Sequence, residues 1–294
     1  MNAKISYEGL REGLRDMNAK ISYEGSTGGQ NMKKQTIDIG VNLMHRSFGE
    51  DRERVVQAAA DAGVSPLILT GTSIRSSEAA AKYAAQYPRR LYATAGVHPH
   101  DVKSCDARTL PALRRLAARE EVVAIGECGL DYNRDFSPRE LQRDWFGRQL
   151  ELAAQLRLPL FLHERDAHED FARMLREGRP EALPAVVHCF TGSEAELHSY
   201  LELGLHIGIT GWICDERRGG PLREVVRHIP LERMMIETDA PFLTPRDLRP
   251  KPKDGRNEPA FLPHIAQVIA ECMGLAADEV MERTTETAKA FFKI

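Results

Sequence analysis

Short apolar runs recur along the chain from Thr36 onward, and polar or amphipathic stretches separate them. The runs are TIDIGV (36–41), PLILT (66–70), LYATAGV (91–97), VVAIGE (122–127), LPLFLH (158–163), PAVVH (184–188), LHIGIT (205–210) and RMMIET (233–238). They are apolar throughout rather than alternating, which is typical of strands covered on both faces. The pattern therefore predicts eight buried strands.

Segments with helical period lie between and after these runs. The main ones are residues 49–63, 137–157, 193–204, 263–273 and 277–292. Ser137 before Pro138 predicts an N-cap followed by proline at the first helical position. Ser193 and Glu196 have the spacing of a capping box. Strands alternating with helices in this order predict an α/β fold, the (β/α)8 TIM barrel.

An open, doubly wound sheet is the alternative fold for this order of elements. That fold usually carries a glycine-rich ligand loop, and the chain contains neither GxGxxG nor GxxxxGK[ST]. We see no internal linker, so residues 32–294 are predicted to form one barrel domain. Residues 1–31 contain MNAKISYEG twice and then STGGQNM, so we expect an expression tag or a disordered extension there.

Composition and charge narrow the function classes. The 294 residues are 42% hydrophobic and 28% charged, as in an ordinary globular protein. The chain contains no run of roughly 18 apolar residues, so no membrane-spanning helix is predicted. Five cysteines without a CxxC pair favour a reducing compartment, so we expect a cytoplasmic protein. The net charge of −3 argues against a strongly basic nucleic-acid binder, which leaves phosphate contacts to local patches such as residues 245–259.

Side chains that can bind a metal follow five of the predicted strands. They are His98 and His100 after the third strand, Glu127, Cys128 and Asp131 after the fourth, His163 at the end of the fifth, His188 at the end of the sixth, and Glu237 and Asp239 after the eighth. Active sites of such barrels lie at the C-terminal ends of the strands, so these side chains are expected to meet at one rim. Imidazole nitrogens together with carboxylate oxygens suit a divalent metal with open positions.

A divalent metal at this rim would support hydrolysis. It lowers the pKa of a bound water towards neutrality and polarises a phosphoryl or carbonyl oxygen. Asp239 is placed to touch the metal and to take the proton of the water. No GxSxG motif supports a serine nucleophile. A cysteine nucleophile, Cys128 or Cys189, is the other alternative, although such a cysteine is usually a small packing residue.

Several long motifs around these residues resemble the TatD family of metal-dependent deoxyribonucleases. The motifs are AGVHPHD, AIGECGLDYNRDFS, LHERDAHED, VVHCFTGS, GITGWICDERRGG, ETDAPFLTPRDLRPKP and RNEPAFLPHI. The resemblance runs from Thr36 to the C-terminus and implies a TIM barrel with an amidohydrolase-like metal site that hydrolyses phosphodiester bonds in DNA. The segments ICDERRG and TPRDL are closest to the branch that gives the family its name. That branch implies a magnesium-dependent 3′→5′ exonuclease that prefers single strands and is linked to DNA repair.

The resemblance also implies roles for individual residues. The metal ligands would be Glu127, His163, His188 and Asp239. Asp239 would also be the general base, and His98 would contact the scissile phosphate. Glu237 shares a strand face with Asp239 and joins the catalytic candidates as a support, with a structural role as the alternative. Arg256 would bind phosphate as a bidentate fork.

The first strand departs from the family pattern. Many relatives end it with Asp-x-His-x-His, and those two histidines hold a metal. Here Gly40 and Asn42 stand at the two histidine positions after Asp38. Fewer nitrogen ligands favour an oxygen-preferring ion, Mg²⁺ or Mn²⁺, over tightly held Zn²⁺.

Aromatic side chains beside a basic groove normally bind a single strand. Trp212, after the seventh strand, is the candidate for substrate binding, and a half-buried packing residue is the alternative. Phe190 and Phe242 are expected to pack at the rim, and Arg218 either pairs with a neighbouring acid or meets phosphate. We expect single-stranded DNA or RNA as the partner, no membrane, and a monomer.

Two other functions would use the same residues. One is a metal-dependent esterase that acts on a substrate such as D-aminoacyl-tRNA, because a fold does not determine its substrate. The other is a non-enzymatic scaffold that binds metal or nucleic acid and lost its activity with the first-strand histidines. The presence of Glu127, His163, His188 and Asp239 argues against the scaffold.

Overall fold

The computed structural model describes residues 35–294, and the extension expected over residues 1–31 lies outside them. Within the described residues, eight strands form one sheet in chain order, and every strand is parallel to its neighbour. They are β1 (Thr36–Val41), β2 (Val64–Leu69), β3 (Leu91–Ala95), β4 (Val122–Asp131), β5 (Leu160–Arg165), β6 (Ala185–Val187), β7 (His206–Ile209) and β8 (Met234–Ile236). Each matches one predicted run.

The first and last strands come together and close the ring. Val41 pairs with Ala240 just beyond β8. The backbone nitrogen of Asp239 donates to the Gly40 carbonyl at 2.9 Å, and that of Asn42 donates to the Ala240 carbonyl at 2.8 Å. The predicted eight-stranded barrel is therefore confirmed.

Nine α-helices within residues 35–294 accompany the strands. They are α1 (Arg52–Asp61), α2 (Ile74–Ala84), α3 (Thr109–Ala117), α4 (Arg139–Leu156), α5 (His168–Gly178), α6 (Glu194–Glu202), α7 (Gly220–Val225), α8 (Leu262–Met273) and α9 (Ala277–Phe292). The five predicted helical segments correspond to α1, α4, α6, α8 and α9, and their ends differ from the prediction by three residues or fewer.

Two of the predicted helix starts have different outcomes. The capping box of Ser193 and Glu196 is confirmed, because each side chain accepts a hydrogen bond from the other residue's backbone nitrogen. The N-cap prediction for Ser137 is wrong, since α4 has no side-chain cap and Pro138 takes the N-cap position. The Ser137 hydroxyl donates instead to the His100 carbonyl at 2.8 Å. The Ser137 side chain therefore makes a contact with a distant part of the chain in place of the predicted cap of α4.

The apolar core lies on both sides of the sheet. One cluster gathers side chains from six different strands inside the barrel, among them Ile37, Ile68, Phe161 and Met235. A larger cluster joins the outer faces of the strands to the helices around them. Strands covered in this way carry apolar side chains on both faces, which explains the largely apolar runs in the sequence.

The C-terminal helix α9 covers one end of the barrel. Phe291 and Phe292 join the inner cluster, and Phe291 lies 5.1 Å from the His206 ring at the start of β7. The Thr285 hydroxyl lies 3.3 Å from that of Thr36, at the start of β1. Because α9 lies at the N-terminal ends of the strands, the C-terminal ends form the open mouth.

Among the described residues, no single helix is long and apolar enough to cross a bilayer. The segments Pro259–Met273 and Ala277–Phe292 pass a test of length and composition only when taken together, and they are bent by 109°.

Candidate metal centre

The mouth of the barrel contains a cavity of about 850 Å³. Loops that follow strands β1 to β8 line it, as expected for a barrel of this kind. The chemically active side chains in its wall are Asn42, His98, His100, Glu127, Asp131, His163, His188, Cys189 and Asp239. Two predicted site residues, Glu237 and Arg256, are not part of this wall.

Strand β4 extends four residues beyond its predicted end at Glu127 and carries Asp131 over the rim. Gly129 has φ +150°, and a Cβ added there would lie 1.8 Å from the His163 carbonyl oxygen. Only glycine allows β4 and β5 to pair this closely, with Gly129 opposite His163. The extension therefore brings two carboxylates, Glu127 and Asp131, beside His163.

Three imidazoles surround one oxygen of Glu127. Its Oε1 lies 2.8 Å from His188 Nε2, 3.0 Å from His163 Nδ1 and 3.3 Å from His98 Nε2. Burial alone would raise the pKa of the Glu127 carboxyl, but the nearby His188 and His98 and the hydrogen bonds from His163 and His188 hold that pKa well below its usual value. The carboxylate is therefore ionised and can bind a cation.

His98 differs from the other two histidines in its protonation. Its Nδ1 accepts a hydrogen bond from the backbone nitrogen of His100 at 3.1 Å, so the ring proton lies on Nε2. Burial lowers the pKa of His98 to about 4 and keeps the ring neutral. The ligating atoms of His98, Glu127 and His163 lie within 4.8 Å of one another, close enough for one ion. The tautomer, however, makes His98 Nε2 a hydrogen-bond donor.

Asp131 was among the strand-end side chains expected at the rim, but no individual role was predicted for it. Its Oδ2 lies 2.6 Å from His100 Nε2 and 3.3 Å from His163 Nε2, and its Oδ1 accepts hydrogen bonds from the backbone of the following turn. His163 thus lies between the carboxylates of Glu127 and Asp131. Burial would lower the pKa of His163, but these hydrogen bonds raise it. The GLD triplet at the end of β4 was the available signal.

Asp239 and Asn42 form a pair on the opposite side of the cavity. The Asn42 side-chain nitrogen donates to Asp239 Oδ1 at 2.8 Å. Enclosure by the protein is the largest cause that raises the pKa of Asp239 to about 7, and the Glu127 and Glu237 carboxylates add to it against the opposing effect of His188. Asn42 therefore orients a carboxyl group that gains and loses its proton near neutrality.

Glu237 fills the space beneath the cavity and is fully buried. Its Oε1 accepts a hydrogen bond from the Cys189 backbone nitrogen at 2.6 Å, and its Oε2 lies 3.4 Å from His188 Nδ1. A Cβ added at Gly40 would lie 2.2 Å from Glu237 Oε2. A histidine at position 40 would therefore collide with Glu237. Glu237 lies on the far side of His188 from Glu127 and supports its ring.

Trp212 lies in the cavity wall with two guanidinium groups around it. The Arg218 guanidinium carbon lies 4.2 Å from the ring centre and that of Arg165 lies 5.5 Å away. Arg218 also donates to the Asp215 carboxylate at 2.8 Å, so the predicted pairing with a neighbouring acid is present. Trp212 is half-buried and lines the cavity, and its role in substrate binding stays a prediction.

The two rim phenylalanines differ from each other. Phe190 is buried and packs near Tyr200, as expected. Phe242 packs at the rim against His45, but 48% of this residue is exposed and it lines the cavity.

The structure does not bring Arg256 into the cavity. Its guanidinium donates to both oxygens of Asp51, at 3.0 and 2.7 Å, to Glu258 at 2.7 Å and to the Ser47 carbonyl. The side chain is only 13% exposed. Its bidentate fork is occupied by protein carboxylates, so it joins the last loop to the start of α1 instead of facing a phosphate.

Comparisons with known proteins agree with this geometry. Residues 37–293 match the family described as TatD related DNase. A protein of Erwinia amylovora named 3′-5′ ssDNA/RNA exonuclease TatD is 53% identical over 255 residues, which cover 87% of this chain and 98% of that protein. A protein of the same name from Pantoea sp. (strain At-9b) is 51% identical over 257 residues, 87% of this chain and 99% of that protein.

A solved structure with lower sequence identity has a similar fold. The TatD family hydrolase of Entamoeba histolytica has a TM-score of 0.81 and 29% identity, and the match covers 88% of this chain and 98% of that one. The family model covers nearly all of the described barrel, and the two bacterial proteins match along almost their whole length. This chain therefore belongs to the family of TatD-related DNases.

Proposed function

We propose that this protein is a divalent-metal-dependent 3′→5′ exonuclease that hydrolyses phosphodiester bonds in single-stranded DNA or RNA. The observation that carries the proposal is the meeting of Glu127, His163 and His188, with Asp239, in one open cavity. The names of relatives that are 51% and 53% identical support the choice of substrate and polarity.

The donor set of this cavity fits a divalent cation. Two imidazole nitrogens lie within 3.0 Å of one Glu127 oxygen, and Asp239 adds a second carboxylate. We assign the cation to Glu127, His163, His188 and Asp239. A bound cation would polarise a phosphoryl oxygen and lower the pKa of a neighbouring water. The two imidazoles would also suit Zn²⁺, and we propose Mg²⁺ or Mn²⁺ because Gly40 and Asn42 leave the site without two further nitrogen ligands.

The other tasks fall to the chain's own residues. Asp239, oriented by Asn42, accepts the proton of the attacking water. The Nε2–H of His98 donates a hydrogen bond to a phosphate oxygen, where negative charge develops in the transition state. Glu237 behind His188 and Asp131 behind His163 hold the two imidazoles in position.

We further propose that residues 32–294 are the catalytic unit, that the protein acts in the cytoplasm, and that it contributes to DNA repair. The five cysteines are all free, which fits a reducing compartment. A monomeric state and the tag-like nature of residues 1–31 stay predictions from the sequence.

A labelled oligonucleotide tests the proposal. A 5′-labelled single strand, incubated with the protein and Mg²⁺, Mn²⁺ or Zn²⁺, is expected to shorten stepwise from its 3′ end. A strand with a blocked 3′ end and the same strand in a duplex should be degraded more slowly. His188→Gln should abolish cleavage, whereas His198→Gln, at an exposed position on α6, should leave it unchanged.

Failure to cleave in all three metals would contradict the proposal. Hydrolysis of D-aminoacyl-tRNA in place of the oligonucleotide would favour the esterase alternative. Binding of metal and strand without either reaction would favour the scaffold.

A further inference from the structure

Two exposed phenylalanines stand at the mouth of the barrel. Among residues 35–294, the exposed large hydrophobic side chains are Phe136, Leu141 and Phe242, with exposed fractions of 54%, 39% and 48%. Single exposed apolar residues are common on protein surfaces. However, Phe136 and Phe242 both line the cavity that holds the candidate metal centre, and Leu141 does not. The two aromatic rings therefore share a location that chance exposure does not explain.

The topology places these two rings on opposite sides of the cavity. Phe136 lies in the loop after β4, and Phe242 lies in the loop after β8. In a closed ring of eight strands in chain order, β4 and β8 are diametrically opposed. Glu127 on β4 and Asp239 after β8 lie between the two loops, so the reacting phosphate would have one ring on each side.

The backbone beside Phe242 is firmly held although the ring is exposed. Its nitrogen donates to the Asp239 carbonyl at 3.0 Å, and its carbonyl accepts from the Asn257 side chain at 2.7 Å. Asn257 is fully buried and also donates to the Thr238 carbonyl at 2.9 Å. The His45 ring packs edge to face against Phe242, with centroids 5.4 Å apart. The ring is thus held in position before any ligand arrives.

Phe136 has equivalent supports on the other side. Its carbonyl accepts from Lys103 Nζ at 2.9 Å, and the next residue, Ser137, donates to the His100 carbonyl at 2.8 Å. The His100 ring lies edge to face against Phe136 at 4.7 Å. A rigid aromatic ring with an exposed face is the form of a nucleobase-stacking platform, and stacking accepts any base.

We propose that Phe136 and Phe242 are the stacking platforms for the two nucleobases that flank the scissile phosphodiester, one base on each ring. The inference rests on the proposed nuclease function and adds the source of its preference for single strands. Two consecutive bases of a duplex are paired and stacked on each other, so they must unpair and separate before each can lie on its own ring.

The test combines each ring with the removal of a base. Phe136→Ala, Phe242→Ala and the control Leu141→Ala are assayed on a single strand, and on the same strand with an abasic site at the last or at the second-last nucleotide. Each phenylalanine variant is expected to raise KM for the intact strand roughly 5- to 150-fold with kcat nearly unchanged. The rise should vanish on one of the two abasic strands and remain on the other. Phe→Tyr at either position should restore KM, and Leu141→Ala should match the wild type.

The binding of a strand with a non-hydrolysable methylphosphonate at its last linkage gives a second readout. Its Kd, from fluorescence anisotropy, should rise as KM does. The stacking proposal would be overturned if the phenylalanine variants left KM and Kd unchanged, or if they raised KM equally on the intact and on both abasic strands. A wild-type protein that binds this strand but cleaves none would instead refute the nuclease function, and the Kd values of the variants would still judge the platforms.

Discussion

At the scale of single residues, the metal centre depends on which ring nitrogen carries the proton. His98 and His163 both approach Glu127 Oε1, and distance alone would make both of them ligands. The backbone hydrogen bond to His98 Nδ1 fixes its proton on Nε2. Two carboxylates hold His163, one at each nitrogen. We therefore separate the donor His98 from the ligand His163.

His98→Ala should remove a donor to the transition state and spare the metal. We expect kcat to fall by about 10²–10³, the usual effect of losing such a donor, with the Kd for Mn²⁺ unchanged by calorimetry. His163→Ala should weaken Mn²⁺ binding in the same experiment, and His198→Ala should alter neither quantity. A Kd for Mn²⁺ that rises in His98→Ala would show that His98 is a ligand after all.

At the scale of elements, the last loop is joined to other parts of the barrel by two adjacent residues. Asn257 holds the loop that carries Phe242, and Arg256 joins it to Asp51 at the start of α1. The motif that contains both residues resembled a phosphate-binding segment in the sequence. Its side chains instead form the supports of the loop that positions Asp239 and Phe242.

Arg256→Lys should therefore affect stability and not substrate binding. A lysine cannot reproduce the fork to Asp51 and the bond to Glu258, so we expect the free energy of unfolding in urea to fall by about 1.5–3 kcal/mol. KM for the oligonucleotide should stay at the wild-type value. Arg249→Lys is the matched control, since the hydrogen bonds of that side chain within residues 35–294 go to nearby carbonyls of the same loop. A KM that rises in Arg256→Lys and not in Arg249→Lys would restore the phosphate role.

At the scale of the whole molecule, the barrel closes between β1 and β8 through a buried carboxyl group. Asp38 Oδ1 accepts hydrogen bonds from the Thr238 nitrogen at 3.0 Å and the Gly40 nitrogen at 3.2 Å, and Asp38 Oδ2 lies 2.5 Å from the Thr238 hydroxyl. Burial outweighs these bonds and raises the pKa of Asp38 from 3.8 to about 8. The folded barrel therefore retains a proton that the unfolded chain loses.

This retained proton makes stability depend on pH. The contribution of Asp38 is complete below about pH 4 and is lost as the pH rises towards 8. Asp38→Asn carries no ionisable group there, so the wild type should lose up to about 1.4 kcal/mol per pH unit more than the variant between those limits. Urea unfolding at a series of pH values measures this difference, with Asp144→Asn on the exposed face of α4 as the control. Parallel curves for wild type and Asp38→Asn would mean that Asp38 is ionised in the folded barrel.

Much of the architecture followed from local patterns. The eight strands and five of the helices were predicted within a few residues, because burial on both faces and helical period are properties of short segments. The strand-end residues that meet in the cavity were also predicted, since the barrel topology brings all C-terminal strand ends to one rim. The extension of β4 to Asp131 was not, because it depends on the fit of Gly129 against β5.

The sequence by itself determined the barrel, its open end and the set of side chains available for a metal, because each depends on the order and polarity of short segments. Only the tertiary structure decided how those side chains are used. His98 became a donor through the backbone of His100, Arg256 met Asp51 from the far end of the chain, and Phe242 became exposed on a loop held by Asn257. Each outcome is a competition between partners that come together only when the chain folds, and no local pattern records its result.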